Sequence, residues 1–199
     1  MTYTERKIEN TLKAIESEIS IEKKITHVIK LCDYVENIPK MFFEVLNSCN
    51  IFDYYIDEIN IQNYLYQIKF IELFEKIICN VEFGGKYIEK NLSNFVEEFF
   101  FKISSKFDDI KKYTDERLEI CHFLLGKYIY FLAKLLHVSK ITIKKSTLTF
   151  RRKELLEIND FFEELLYLGH PDKEPILEIL EDLSSILTKI GLVIGNVVN

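Results

Sequence analysis

The residues best suited to chemistry lie near the middle of the chain, at Arg117, Glu119, Cys121 and His122. Glu119 and His122 have the spacing with which one helix face offers a carboxylate and an imidazole to a metal ion, but di-iron bundles use that spacing twice and here it occurs once. Cys121 and His122 are adjacent, so on a helix their side chains point about 100° apart and cannot easily share a proton. We therefore expect no metal site, no thiolate pair and no cofactor.

Arg117-x-x-x-x-His122 resembles the Arg-x4-6-His signature of HEPN-type helical ribonucleases, and the resemblance covers six residues. It implies that Arg117 and His122 act together on an RNA phosphate and 2'-hydroxyl, across a homodimer interface and without a metal ion. The chain departs from that family at Leu118, where a polar residue is usual. Arg117 and His122 are thus the candidate catalytic residues of a HEPN-like nuclease.

A second candidate is the basic segment, residues 140–153, which has six lysines or arginines and no acidic residue. In a chain of net charge −6 such a cluster predicts a local positive field that could attract RNA phosphates or an acidic partner. The same cations could instead pair with acidic residues that follow, such as Glu154 and Glu157. Its candidate binding residues are Lys140, Lys144, Lys145, Arg151, Arg152 and Lys153.

Three consecutive aromatic residues, Phe99, Phe100 and Phe101, cannot all point to the same side of a helix. Either another helix covers the far side or Phe101 is exposed to a partner, since large exposed apolar patches are uncommon on monomers. We assign Phe100 and Phe101 to a candidate protein-binding surface.

A helix over residues 114–138 has to position Arg117, Glu119 and His122. Most of its residues are apolar, and most of its polar ones, with a glycine, fall in one sector of the helix, which predicts a buried central helix. They are Asp115, Glu119, His122, Gly126, Lys127, Tyr130, Lys134 and His137. Lys127 and Lys134 also argue against a membrane span, because a lysine near the bilayer centre costs about 2.5 to 3.5 kcal/mol.

The periodicity of the rest predicts an all-α fold, an irregular helical bundle or a short α-solenoid of about seven to nine helices around helix 114–138. Residues 139–150 alternate at period two and predict a small β-hairpin or a basic loop, followed by a helix from about Arg151 to Leu168. Gly84-Gly85 and Gly169 are predicted to close the preceding helices in the left-handed conformation.

Composition limits the class of protein. A chain of 199 residues with 48% hydrophobic content predicts one all-α domain over 1–199, with a possible subdivision into N-terminal helices 1–50 and a main bundle 51–199. Four cysteines without a CxxC pair, and no signal peptide, indicate a reducing, cytoplasmic location. Abundant Ile, Lys, Asn, Tyr and Phe indicate an AT-rich genome, which weakens any argument from the number of lysines.

Three functional hypotheses follow. The first is a non-enzymatic helical adaptor that binds a protein partner within a larger assembly, because most informative positions are packing positions. The alternative is an RNA- or ribonucleoprotein-binding factor that uses residues 140–153. The third is the HEPN-like ribonuclease with Arg117 and His122.

Overall fold

The computed structural model describes residues 2–55, 63–138, 145–171 and 173–195, of which 145–151 and 192–195 are described by their backbone alone. These residues form eight α-helices and one short 3-10 helix, and no strand. The prediction of an all-α helical bundle with seven to nine helices is confirmed. None of the helices in the described ranges is both long and apolar enough to cross a bilayer.

The chain separates into two compact units, Met1–Asn91 and Leu92–Asn199, and the boundary lies within a helix. The helices up to residue 79 are α1 (Tyr3–Ser17), α2 (Ile21–Asn37), α3 (Pro39–Leu46) and α4 (Tyr64–Cys79), with the 3-10 helix at Ile51–Tyr54. The remaining helices are α5 (Gly84–Ile110), α6 (Glu116–Val138), α7 (Lys145–Tyr167) and α8 (Lys173–Gly195). The predicted single domain over 1–199, or a subdivision after residue 50, stays a prediction.

Local signals in the sequence define the first unit. Thr2 and Glu5 form the capping box that begins α1, the Ser20 hydroxyl accepts from the Lys23 amide to begin α2, and Pro39 begins α3 directly after α2 ends. Helix α2 packs against α1, α3 and α4. An ion pair between Glu36 and Lys76 joins α2 to α4.

Gly84 does not close α4, so the prediction of a left-handed Gly84-Gly85 cap is wrong. Helix α4 ends at Cys79, and the turn is closed by Asn80, whose side-chain oxygen accepts from the Phe83 amide at 2.9 Å. Gly84 begins α5 against the end of α4, where an added Cβ would lie 2.1 Å from the Ile77 carbonyl oxygen. The glycine is required for close approach. Gly169, by contrast, has the predicted positive φ of 77°.

Helix α6 is the buried helix of the second unit, as predicted over 114–138, although it begins at Glu116. It packs against α5, where the Phe99 and Phe131 rings lie 4.2 Å apart, and against α8. Ten of its residues are buried: Cys121, Leu124, Leu125, Tyr128, Ile129, Phe131, Leu132, Ala133, Leu135 and Leu136. Such a helix gains most of its stability from packing, since full burial of a large apolar side chain contributes about 1.5 to 3 kcal/mol.

Residues 145–150 belong to α7, so the predicted hairpin or loop over 139–150 is wrong for that part, and residues 139–144 lie outside the described ranges. Helix α7 begins at Lys145, six residues before the predicted start near Arg151. Period-two alternation over four residues, Thr147 to Phe150, is too short to distinguish a strand from a helical turn. Leu148 is seven positions before the buried Leu155, which fits a continuous helix.

Candidate functional site

Arg117 is bound to its own neighbours at the exposed start of α6. Its guanidinium donates to Asp115, with 2.7 Å between Nη2 and Oδ2, and lies 4.5 Å from the centre of the Tyr113 ring. The hydrogen bonds from Arg117 lower the pKa of Asp115 below its usual value, and the same pairing raises the pKa of Arg117. Arg117 therefore helps to fix the turn that precedes α6.

His122 is half-buried and has a different set of neighbours. Its ring centre lies 6.1 Å from that of Phe162, 6.4 Å from that of Phe161 and 6.4 Å from that of His170. Five positions on a helix separate two side chains by about 140°, which explains why Arg117 faces Asp115 while His122 faces α7. Within one chain Arg117 and His122 thus face different neighbours, and the HEPN resemblance, which implies action across a homodimer interface, stays a prediction.

The other candidate residues for chemistry on α6 are Glu119 and Cys121. Glu119 is exposed, and no group of three or more metal-ligating side chains occurs in the part of the chain that the structure describes. Cys121 is buried, and burial raises its pKa to about 11. Because the thiolate is the nucleophilic form of cysteine, a thiol with this pKa is unreactive at neutral pH.

The two candidate aromatic residues of α5 differ in their exposure to solvent. Phe100 is only 1% exposed, so its assignment to a binding surface is wrong, whereas Phe101 is 54% exposed. The buried face of α5 is wider than a single stripe, because Phe99, Phe100 and Ile103 are all in the core. Phe101 has exposed Glu97 and Asp108 near it on the same helix face.

The basic segment is only partly described. Lys140 and Lys144 lie outside the described ranges, and Lys145 and Arg151 are known as backbone positions in the first turns of α7. Arg152 and Lys153 are exposed. The structure therefore places two of the six cations on an open surface.

The chain has an exposed surface that the sequence interpretation did not recognise as a unit. We call it the outer face of α6: Phe123, Lys127, Tyr130 and Lys134, which follow one another at intervals of four, three and four. Phe123 is 48% and Tyr130 is 41% exposed. The signal was available, since three of the four residues fall in the predicted polar sector, but Phe123 is apolar and was not assigned to that sector.

Each aromatic residue of this face contacts a lysine one turn further along. The Lys127 ammonium is 5.4 Å from the centre of the Phe123 ring, and the Lys134 ammonium is 5.5 Å from that of Tyr130 and 3.4 Å from its hydroxyl. Cation–π contacts of this kind contribute about 0.5 to 1 kcal/mol at exposed sites. They fix both the rings and the charges in a regular row.

Two buried lysines of α5 were also missed. Lys102 and Lys106 are 2% and 1% exposed, and they pair with Glu98 and Asp109 of the same helix at 3.3 Å each. The spacings of four and three were visible in the sequence, but nothing there indicated that these charges would be buried. Their carboxylate partners make them structural ion pairs.

Comparison with known proteins adds nothing to this site. No family model, no curated protein and no solved structure matches the chain.

Proposed function

We propose that the protein is a non-enzymatic adaptor that binds a protein partner through the outer face of α6. The observation that supports it is the pair of half-exposed rings, Phe123 and Tyr130, on a helix whose other sides are buried. Arg117 pairs with Asp115 in the turn before α6, and His122 lies against the Phe162 ring of α7. The second unit therefore offers another molecule a surface to which it can bind.

A partner would gain free energy by covering these rings. Each ring is about half exposed, so its burial would contribute about 1 kcal/mol, and the lysine stems beside the rings would add apolar area. Aromatic side chains at the centre of a contact are the residues that most often dominate the binding free energy. The two rings are therefore suited to the centre of an interface and the two lysines to its rim.

A protein partner is favoured over RNA by the position of the lysines. The Lys127 ammonium lies over a face of the Phe123 ring, and a nucleic-acid base would need such a face for stacking. The row also has only two lysines, whereas phosphate binding depends on many cations. The alternative, an RNA- or ribonucleoprotein-binding factor that uses residues 140–153, is an outcome of the following test.

Photocrosslinking from the outer face of α6 tests the proposal. A benzophenone amino acid replaces Phe123 in one variant and Leu65 in a control, since Leu65 is an apolar residue of similar exposure on α4. We expect the Phe123 variant, irradiated in extract of the source cells, to form a protein adduct that the control lacks. The adduct's partner is then purified, and its affinity for the wild-type protein is compared with that for Phe123→Ser.

Two results would overturn the proposal. One is equal crosslinking from the two positions, or an affinity for the purified partner that Phe123→Ser leaves unchanged. The other is recovery of RNA instead of protein, with retention lost when Lys144, Lys145, Arg151 and Arg152 are changed to glutamate. That second result would establish the RNA-binding alternative.

A further inference from the structure

Both charged residues of the outer face of α6 are lysines. From residue 120 to residue 138 the sequence contains no aspartate or glutamate, although the whole chain has a net charge of −6. Lys127 and Lys134 are the two cations of this face, and the exposed Glu119 precedes it by one turn. Complementary charge selects the partner and its orientation, so a surface of this kind favours a partner that carries carboxylates.

The spacing of the four residues sets the spacing in the partner. Phe123 and Tyr130 are seven positions apart, and so are Lys127 and Lys134, which places each pair about 10.5 Å apart along the helix axis. A second helix that packs alongside at a crossing angle of about 20° repeats with the same period. It would therefore present its apolar residues, and its carboxylates, at intervals of seven.

A second copy of the chain is a poor occupant of this face. If two outer faces met, four lysines would enter one contact, and α6 would supply no carboxylate between residues 120 and 138. Like charges brought together at an interface cost several kcal/mol. A different, acidic molecule avoids that cost.

We propose that the outer face of α6 binds an acidic amphipathic helix, with two carboxylates seven positions apart that pair with Lys127 and Lys134. Apolar residues at the same interval cover Phe123 and Tyr130. This inference rests on the proposed function and adds to it the chemistry of the partner. Recognition is of the helix-in-groove kind, in which a few regularly spaced side chains anchor an amphipathic helix.

Two designed peptides test the charge and the spacing together. Both are labelled helical peptides of three heptads with the same apolar residues. At one position of each heptad, beside the apolar residues, the first peptide has glutamate and the second has lysine. Binding to the full-length protein is measured by fluorescence anisotropy at low and high salt. We expect the glutamate peptide to bind more tightly than the lysine peptide, and salt to weaken its binding.

Charge reversal in the protein makes the test specific. The double variant Lys127→Glu, Lys134→Glu should bind the glutamate peptide about tenfold or more weakly than the wild type does. It should bind the lysine peptide more tightly. The matched control is Lys111→Glu with Lys112→Glu, two exposed lysines that precede α6, which changes the net charge equally. We expect the control to leave the preference for the glutamate peptide in place, and circular dichroism verifies that both variants are folded.

The inference fails if the two peptides bind equally, if neither binds, or if the control reverses the preference as strongly as the outer-face variant. It also fails if light scattering shows a dimer of the wild-type protein that Tyr130→Ser dissociates, because a second copy would then occupy the face. Failure with the peptides, together with a specific adduct from Phe123, would refute the acidic helix and leave the proposed adaptor function intact. If the benzophenone variant at Phe123 forms no specific protein adduct, the adaptor function itself is refuted.

Discussion

The Cβ atom that Gly126 lacks would lie 3.2 Å from the Cδ1 atom of Ile179. The side chain of Ile179, on α8, therefore occupies the space next to α6 that a larger residue at position 126 would need. A glycine inside a helix costs about 1 kcal/mol relative to alanine, so its presence in the middle of α6 is explained by this contact. The contact joins α6 to α8 on the side of α6 that faces away from α5.

A double-mutant cycle measures that contact. We expect Gly126→Ala to change the free energy of unfolding little in the wild-type protein, because the gain in helix propensity is offset by crowding against Ile179. In an Ile179→Ala background the same substitution should stabilise by about 1 kcal/mol. Gly191→Ala is the control, since its added Cβ would meet nothing within 4 Å and its effect should be the same in both backgrounds. Additive effects of Gly126→Ala and Ile179→Ala in urea unfolding would contradict this account.

Two neighbouring ion pairs at the end of α5 should differ greatly in their effect on stability. Lys106 is buried and pairs with Asp109, whereas Lys111 and Asp108 are both more than half exposed. Asp109→Asn should destabilise by about 2 kcal/mol, because it leaves a buried ammonium with less compensation. Asp108→Asn should cost less than about 0.5 kcal/mol. Chemical denaturation of both variants measures the difference, and similar values for the two would contradict the burial of Lys106.

Periodicity predicted the helices well because the spacing of apolar residues marks the face of each helix that packs into the core. The stripe on α5, with members such as Ile88, Phe99 and Ile110, is buried, and α6 is within two residues of its predicted start. Local capping chemistry at Thr2, Ser20 and Gly169 needs only neighbouring residues, so it could be read from the sequence. These are features in which a residue's position is set by its own helix.

The features that could not be predicted depend on which helix lies opposite. Phe100 and Phe101 are adjacent and chemically identical, and only the packing around α5 makes one buried and the other exposed. Gly84 was read as a cap, but its role is set by the approach of Ile77. The outer face of α6 is defined by the sides that α5 and α8 leave uncovered. Such information is tertiary, and no pattern within a single helix contains it.

Fully and partly buried thiols should make the protein less stable at alkaline pH. Burial raises the pKa of Cys32, Cys49 and Cys121 from 9.0 to about 11. An acid whose pKa is higher in the folded state ionises first in the unfolded chain, so stability is unaffected below pH 9 and falls as the pH rises from 9 towards 11. Cys121→Ala should reduce this decrease by the contribution of one thiol, measured as the midpoint of urea unfolding against pH. A slope unchanged by the substitution would contradict the raised pKa.

Asp182 of α8 should destabilise the protein when it is ionised. Burial, and then the nearby charges of Glu178 and Glu181, raise its pKa. The ionised form is therefore the unfavourable one, so its cost is present at neutral pH and disappears as the pH falls through the raised pKa. Asp182→Asn should raise the melting temperature at pH 7, and the difference from the wild type should shrink in acid. Glu181→Gln, at an exposed position beside it, serves as the control and should have a smaller effect. A melting temperature that Asp182→Asn lowers at pH 7 would contradict this sign.

Phe123 and Phe131 separate the binding role of α6 from its packing role. Phe131 is fully buried and lies against Phe99, whereas Phe123 is about half exposed and lies under Lys127. Phe131→Ala should therefore destabilise by about 3 to 5 kcal/mol, and Phe123→Ala by less than about 1 kcal/mol. Thermal and urea unfolding measure this difference. In the same preparations Phe123→Ala should lose affinity for the glutamate peptide while its unfolding midpoint stays close to that of the wild type. A Phe123→Ala protein that unfolds as easily as Phe131→Ala would show that the ring belongs to the core, and the outer face of α6 would then have no separate role in binding.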